Sequence, residues 1–351
     1  MRYILGLANV WMSSDVPLTS CGVTATRSLN QRSYLLRLPA HAGCKPGHPL
    51  PLAVLIHCFG CMASMEIAKF AAAADQLGFA LAAPEGVESS FNAPHCCGAA
   101  HHQEVDDVGF VDAVVSDLLA ERGNGPRFLA SALFAAGFSN GGFLASHLAD
   151  ASHHAWAALA PAAGHEYNLR RKQPLPIVIH HCRMDSKVNA SGCCLVPGDG
   201  SGHLGGGHSR MRPTCCCGIV AETCVSTEQI FSRWLYTVNK CTGVRDLAAH
   251  RTPGGAAVCS VGVGCAADTM LCWYADGCVH SDWARHFPAA EATLAFFAKV
   301  ACEQHGGKSN SLTAGEDWSP PAERCRCPRG REGITDWHCL HQQLAAQTAA
   351  P

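Results

Sequence analysis

Gly137-Phe138-Ser139-Asn140-Gly141-Gly142 is a G-x-S-x-G sequence with a second glycine behind it. It lies between an apolar run, 132–136, and a helix-competent run, 143–148. A serine in a strand-to-helix turn of this kind presents its hydroxyl over the end of a sheet, and glycines at ±2 let two backbones pass closely. The chemistry open to it is nucleophilic attack on a carbonyl. That requires a base for the proton, an acid to orient the base, and N–H donors for the oxyanion. In a chain with 34 glycines the same letters also fit an ordinary Gly/Ser turn before a helix, so the partners decide.

Asp185 is the best-placed acid, because it follows the apolar run 177–181, which reads as a short buried strand. A turn-forming Asp at a strand end is the bland alternative. Asp199, Asp268 and Asp276 are weaker rivals, with no strand in front to present them. For the base, His280 in Cys278-Val279-His280-Ser281-Asp282-Trp283 follows the strand-like stretch 269–274. His286, before Phe287-Pro288, competes with it. With 20 histidines in the chain, position and not residue type must choose.

These residues need a scaffold, and the pattern supplies one. Residues 32–39 alternate as a half-buried strand does, and residues 52–57 form a continuous apolar run that ends in His57-Cys58-Phe59-Gly60-Cys61. Residues 63–77 read as a helix and 79–84 as a strand. Residues 105–119 carry Val108, Val111, Val115 and Leu118 at helical spacing behind Asp106 or Asp107 as N-cap. Residues 157–161 and 177–181 are two more short strands. Alternating strand and helix predicts a doubly wound, mostly parallel α/β sheet with helices on both faces, whose ligands bind at the carboxyl ends of the strands.

Composition bounds the rest. The chain has 351 residues, 48% hydrophobic and 15% charged, enough for one large globular domain. A formal net charge of −2 gives no electrostatic case for nucleic acid or an anionic membrane surface, and no apolar run reaches spanning length. Twenty-two cysteines favour an oxidising, extracellular setting over a lineage with free buried thiols. Residues 1–20 resemble a short signal peptide interrupted by Asn9 and lacking a cleavage site; a first strand or a truncated start fits equally.

Several motifs in one order carry a family resemblance: the 57–60 loop, Phe91-Asn92-Ala93-Pro94-His95-Cys96-Cys97-Gly98, Val105-Asp106-Asp107-Val108-Gly109-Phe110, and the serine turn. Trp156 with 157–164, and Trp234 with Asn239-Lys240-Cys241, continue it. Over residues 21–302 the chain resembles the polyhydroxybutyrate depolymerase and feruloyl/acetylxylan esterase group of α/β-hydrolase serine esterases. The resemblance implies an α/β-hydrolase domain over 21–303; composition marks a Gly/Cys-rich insertion at 190–226 and predicts a flexible Cys-containing tail from 304 to 351. Its H-G-x-x-D-x-x-V pattern falls on Asp185, and a G-H-x-W-P-like stretch falls loosely on His280 with Trp283. It implies an acyl-enzyme formed by Ser139 with His280 and Asp185, an oxyanion hole from the Asn140 and Phe59 N–H groups, and a Cys241–Cys265 disulfide. The expected substrate is a polyester or an acyl ester of polysaccharide, hydrolysed by a secreted monomer without metal or organic cofactor.

The chain departs from that family in one systematic way. Cys58, Cys61, Cys182 and Cys278 stand at or beside positions where the family has glycine. A Cβ at Cys58 would be costly if that position required positive φ. An inactive homologue with a binding or structural role is therefore the alternative. Cys96-Cys97 with His95, His101 and His102, and Cys215-Cys216-Cys217 with Cys224, also offer metal-ligating atoms, but without paired C-x₂-C knuckles.

Overall fold

The computed structural model describes residues 20–40, 44–93, 96, 98–121, 125–166, 168–185, 187–192, 225–247, 250–252, 255–274, 277–280 and 289–306. Among them, eleven strands make one sheet. They are β1 (Thr24–Leu29), β2 (Arg32–Arg37), β3 (Pro49–Ile56), β4 (Ala80–Pro84), β5 (Arg127–Phe138), β6 (Ala158–Ala162), β7 (Ile177–Cys182), β8 (Gly243–Asp246), β9 (His250–Thr252), β10 (Gly255–Val263) and β11 (Thr269–Tyr274). The order is β1-β2-β4-β3-β5-β6-β7-β11-β10-β8, with β9 beside β10. From β4 to β11 every neighbouring pair is parallel. The strands outside that block pair antiparallel. This is the α/β-hydrolase fold.

Six helices accompany the sheet among the described residues: α1 (Ala63–Leu77), α2 (Gly98–His102), α3 (Asp107–Ala120), α4 (Asn140–Ala151), α5 (Thr227–Ser232) and α6 (Ala289–Gly306). A π-helical turn, Arg233–Val238, continues α5 and buries Trp234. On one face α3 and α4 bury Val111, Val115, Leu118, Phe143 and Leu148 against Leu52, Val54, Ile56 and Leu133. On the other, α1 and α6 bury Ile67, Phe70, Leu294 and Phe297 against Ala53, Leu55, Leu81 and Phe134. Alternate residues of β3 thus serve opposite cores, which is why 52–57 reads as continuously apolar. Each Leu or Phe buried this way contributes about 1.5–3 kcal/mol.

The helices begin and end for local reasons. Asp106 caps α3 by accepting the Gly109 N–H at 2.8 Å. Gly78 ends α1 at φ 78°, its N–H returning to the Ala74 carbonyl.

Register brings the carboxyl ends of the parallel strands to one edge. Ile56 pairs with Gly137, Phe138 with Ala162, Ala162 with His180, and Cys182 with Tyr274. The loops after β3, β5, β7 and β11 therefore open side by side, carrying His57, Ser139, Asp185 and His280.

Candidate active site

Ser139 sits between β5 and α4 with φ 56° and ψ −117°. A side chain in that region costs on the order of 1–3 kcal/mol, so the surroundings must enforce it. They do so by packing backbone on backbone. A Cβ on Gly137 would lie 2.1 Å from the Gly141 carbonyl oxygen, and one on Gly141 would lie 2.1 Å from that of Ile56. A Cβ on Gly142 would meet Ala162 O at 2.5 Å, and one on Gly164 would meet Ser139 O at 2.3 Å. The Ser139 N–H donates to Ala162 O at 2.8 Å, which locks the turn to the end of β6.

The structure brings three of the sequence-selected side chains together. The Ser139 hydroxyl is 2.8 Å from His280 Nε2. The His280 Nδ1–H donates to Asp185 Oδ2 at 2.7 Å. The other carboxylate oxygen, Oδ1, accepts the N–H groups of Lys187 and Val188, both at 2.8 Å. Asp185 is buried and held from both sides, so it can fix the imidazole's tautomer and oppose its positive charge. The His280 ring leans on Phe138, with centroids 4.9 Å apart. The rival Asp268 precedes β11, at the opposite end of the sheet, and pairs with Lys299. Asp199, Asp276, His286 and Trp283 lie outside the described residues.

The donors expected for an oxyanion lie on two elements. Asn140 is the first residue of α4, where backbone N–H groups have no partner within the helix. Phe59 lies in the loop after β3 and is 52% exposed. The N–H groups that follow are committed elsewhere, Gly60 to Ser89 O at 2.8 Å and Cys61 to Cys58 O at 3.1 Å. The left-handed conformation in this loop falls on Gly60, at φ 74°, and Cys58 is not among the positive-φ residues. Cys58 thus avoids the backbone strain that a cysteine at a glycine position would bring. Its sulfur is bonded to Cys61.

His57 pins this loop and does no visible chemistry. Its Nδ1–H donates to Cys58 O at 2.8 Å, and its Nε2 accepts the Gly86 N–H at 3.0 Å. Burial lowers its pKa, which keeps the ring neutral for both bonds. Cys182 and Cys278, also set against a glycine pattern in the sequence reading, are bonded to each other. Cys241 is bonded to Cys265, Cys259 to Cys272 and Cys21 to Cys44.

Two positioning roles escaped the sequence reading. The Asn140 side chain accepts the Phe91 N–H at 2.8 Å and donates to Phe91 O at 2.9 Å, like a rung of backbone ladder. Buried Asp107 accepts the Asn92 N–H at 2.6 Å and pairs with Arg32 at 2.7 Å. Together they fasten residues 91–92 beside the serine turn, which gives the Val105–Phe110 motif a structural task. A polar residue beside the serine and two consecutive aspartates at a helix start were the available signals. Their partners are 49 and 15 residues away.

As to metal ligands, Asp112, His153 and His154 bring ligand atoms within 4.8 Å of one another. Their hydrogen bonds already account for the cluster: Asp112 accepts from Ser152 Oγ, from the His153 N–H and from His153 Nδ1. Cys96 is disulfide-bonded, and Cys215, Cys216, Cys217 and Cys224 lie outside the described residues.

No family model matches this sequence, and no curated protein is similar to it. Among solved structures, a thermostable esterase is similar at 17% identity over 48% of this chain and 48% of its own, with a TM-score of 0.35. The chain spans about half the length of that esterase. An S-formylglutathione hydrolase from Staphylococcus aureus is similar at 14% identity over 46% of this chain and 77% of its own, with a TM-score of 0.35. Another, from Agrobacterium tumefaciens, has 10% identity over 46% and 76%, with a TM-score of 0.32.

Proposed function

We propose that this chain is a serine carboxylic-ester hydrolase working through an acyl-enzyme. The observation that carries the reading is the continuous bond chain from the Ser139 hydroxyl through His280 to Asp185, at 2.8 and 2.7 Å. In this reading His280 takes the proton as Ser139 attacks the ester carbonyl, and returns it to the leaving alcohol. Water, activated by the same imidazole, then releases the acid. The Asn140 and Phe59 N–H groups receive the oxyanion, and removing such a donor costs about 10²–10³ in rate. Every proton moves between groups already present, so the reaction needs neither a metal nor an organic cofactor.

The substrate proposed is an ester with an apolar acyl part, of the polyhydroxyalkanoate or feruloyl/acetyl-polysaccharide type. Phe59, Met62, Met184 and Val279 are all large, apolar and exposed, and each lies on a loop bearing a proposed site residue or just behind it. Such a rim favours apolar esters over charged ones. The disulfides support an oxidising, extracellular setting, and the protein is proposed to act as a monomer with its insertion at 190–226 and tail at 304–351.

Labelling with a fluorophosphonate probe tests the activity. Wild type is expected to label and Ser139→Ala not to label. Folded wild type that fails to label would favour the inactive-homologue alternative. Against that alternative stands the left-handed position at Gly60, which spares Cys58 the strain that raised it. Methyl ferulate, short p-nitrophenyl esters and polyhydroxybutyrate film then rank the substrates, and His286→Ala should keep the turnover that His280→Ala loses.

A further inference from the structure

The sheet stops before the site begins. β7 and β11 are hydrogen-bonded neighbours as far as the pair Cys182 and Tyr274. Beyond it the two chains separate into loops that reach Asp185 and His280, residues 95 apart in sequence. No ladder continues between these loops among the described residues. The imidazole–carboxylate bond at 2.7 Å joins them, and such a bond cannot supply the positional precision that it itself requires. His280 is not immobilised by burial either, since 18% of its side chain is exposed.

A covalent bond lies where the ladder ends. Cys182, the last residue of β7 and three before Asp185, is joined to Cys278, two before His280. Their Cα atoms are 5.4 Å apart, within the span a disulfide takes. Both are buried, in a cluster that includes Phe138, which precedes Ser139, and Ala162, which accepts the Ser139 N–H. The bond therefore ties the acid's loop to the base's loop at their roots, on the floor of the site.

We infer that the Cys182–Cys278 disulfide is a positioning device for the proposed catalytic residues, holding His280 in line between Asp185 and Ser139. The inference rests on the proposed triad and adds its means of alignment. Two cysteines 96 residues apart thus form one cross-link between the two loops. Its effect is on geometry during turnover: fixing the two loops removes the freedom that would let the imidazole leave the line of attack, and misplacement by about 1 Å can cost on the order of 10²-fold in rate. The remote Cys21–Cys44 bond ties the segment before β1 to the one before β3 and touches none of these loops, so it is the control.

The experiment compares wild type, Ser139→Ala, the double variant Cys182→Ala/Cys278→Ala, and the control Cys21→Ala/Cys44→Ala. The double variant is expected to lose about 10- to 100-fold in kcat on a p-nitrophenyl ester, with KM within about twofold. The downfield proton resonance of the His280 Nδ1–H should broaden or disappear in it and persist in the control. Wild-type kcat and an unchanged resonance in the double variant, with Ser139→Ala inactive, would overturn the positioning role and leave the triad standing. Hydrolysis by Ser139→Ala would overturn both. Should the double variant fail to fold, peptide mapping of active wild type without reductant decides: a Cys182–Cys278 linked peptide is expected, and free thiols at both positions in active protein would overturn the inference.

Discussion

Around Ser139 the chain is packed backbone on backbone, with no room for a Cβ at Gly137, Gly141, Gly142 or Gly164. In the loop that leads to His280 a Cβ on Gly277 would meet open space, and a cysteine cross-link joins this loop to the one carrying Asp185 at their base. Ser139, the proposed nucleophile, is placed by the sheet itself: β5 enters the turn in register with β3 and β6, and α4 leaves it. The proposed acid and base stand on excursions from the ends of β7 and β11 and need ties of their own. The first arrangement fails by steric overlap and therefore through stability. The second fails by losing alignment and therefore through rate.

The largest effect should come from the loop side. Replacing Asp185 by Asn keeps the oxygen that accepts from Lys187 and Val188 N–H, so the loop should hold. It removes the charge opposite His280 and favours the wrong tautomer. On the proposed triad, kcat should fall by about 10³–10⁴-fold with little change in melting temperature. A loss below tenfold would mean that Asp185 does not orient the base.

The packed side should break differently. Gly141→Ala puts a Cβ 2.1 Å from Ile56 O and 2.6 Å from His57 O, two backbone atoms of a central strand end. Destabilisation of about 2–4 kcal/mol is expected in urea unfolding. Gly60→Ala, in the neighbouring loop, meets open space at φ 74° and should cost only about 1 kcal/mol, from backbone conformation alone. Equal costs at the two glycines would remove the distinction between a packed turn and an open loop.

That difference also governs what the sequence revealed. The helix read at residues 63–77 is α1 residue for residue, and the apolar runs at 52–57, 157–161 and 177–181 fall on β3, β6 and β7. Their signals are local: periodicity, a glycine stop, a continuous buried run. Ser139, Asp185 and His280 could be singled out because each stands within six residues of the end of such a strand. What escaped depends on distant partners or weak turns. β1 pairs with β2 through Asn30 and Gln31, both at positive φ, a tight turn without the usual Asn-Gly signature. β10 has glycines and alanines where strands favour β-branched residues. The pairing of Cys182 with Cys278 spans 96 residues, and from sequence the two cysteines read as defects in a glycine pattern.

Asn140 tests whether the packed turn depends on its side chain as well as on its glycines. Asn140→Ala removes both bonds to Phe91 and leaves a buried N–H and carbonyl without those partners. About 1–3 kcal/mol of stability should be lost, while kcat falls less than tenfold because the Asn140 N–H remains in place. A larger fall in kcat than Asp185→Asn would assign catalysis to the amide side chain.

A pH-dependent effect lies in β7. Buried His180 has its Nδ1 2.6 Å from the Tyr274 hydroxyl and its Nε2 3.1 Å from Thr293 Oγ1. Burial lowers its pKa from 6.5 to about 3. Between those values the unfolded chain binds a proton that the native ring refuses, so stability must fall as pH drops below 6.5 and continue falling toward 3. Burial lowers the pKa values of His57, His165 and His181 as well, and they act with the same sign. His180→Gln should be less stable than wild type at pH 7, having lost a fitted ring. Its further loss between pH 7 and pH 4.5 should be smaller by about 2 kcal/mol, the contribution of one such histidine over that interval. Urea unfolding at the two pH values measures both quantities. Identical losses in variant and wild type would mean that His180 takes up its proton in the native state, and that the floor beneath Asp185 yields more easily than the serine turn beside it.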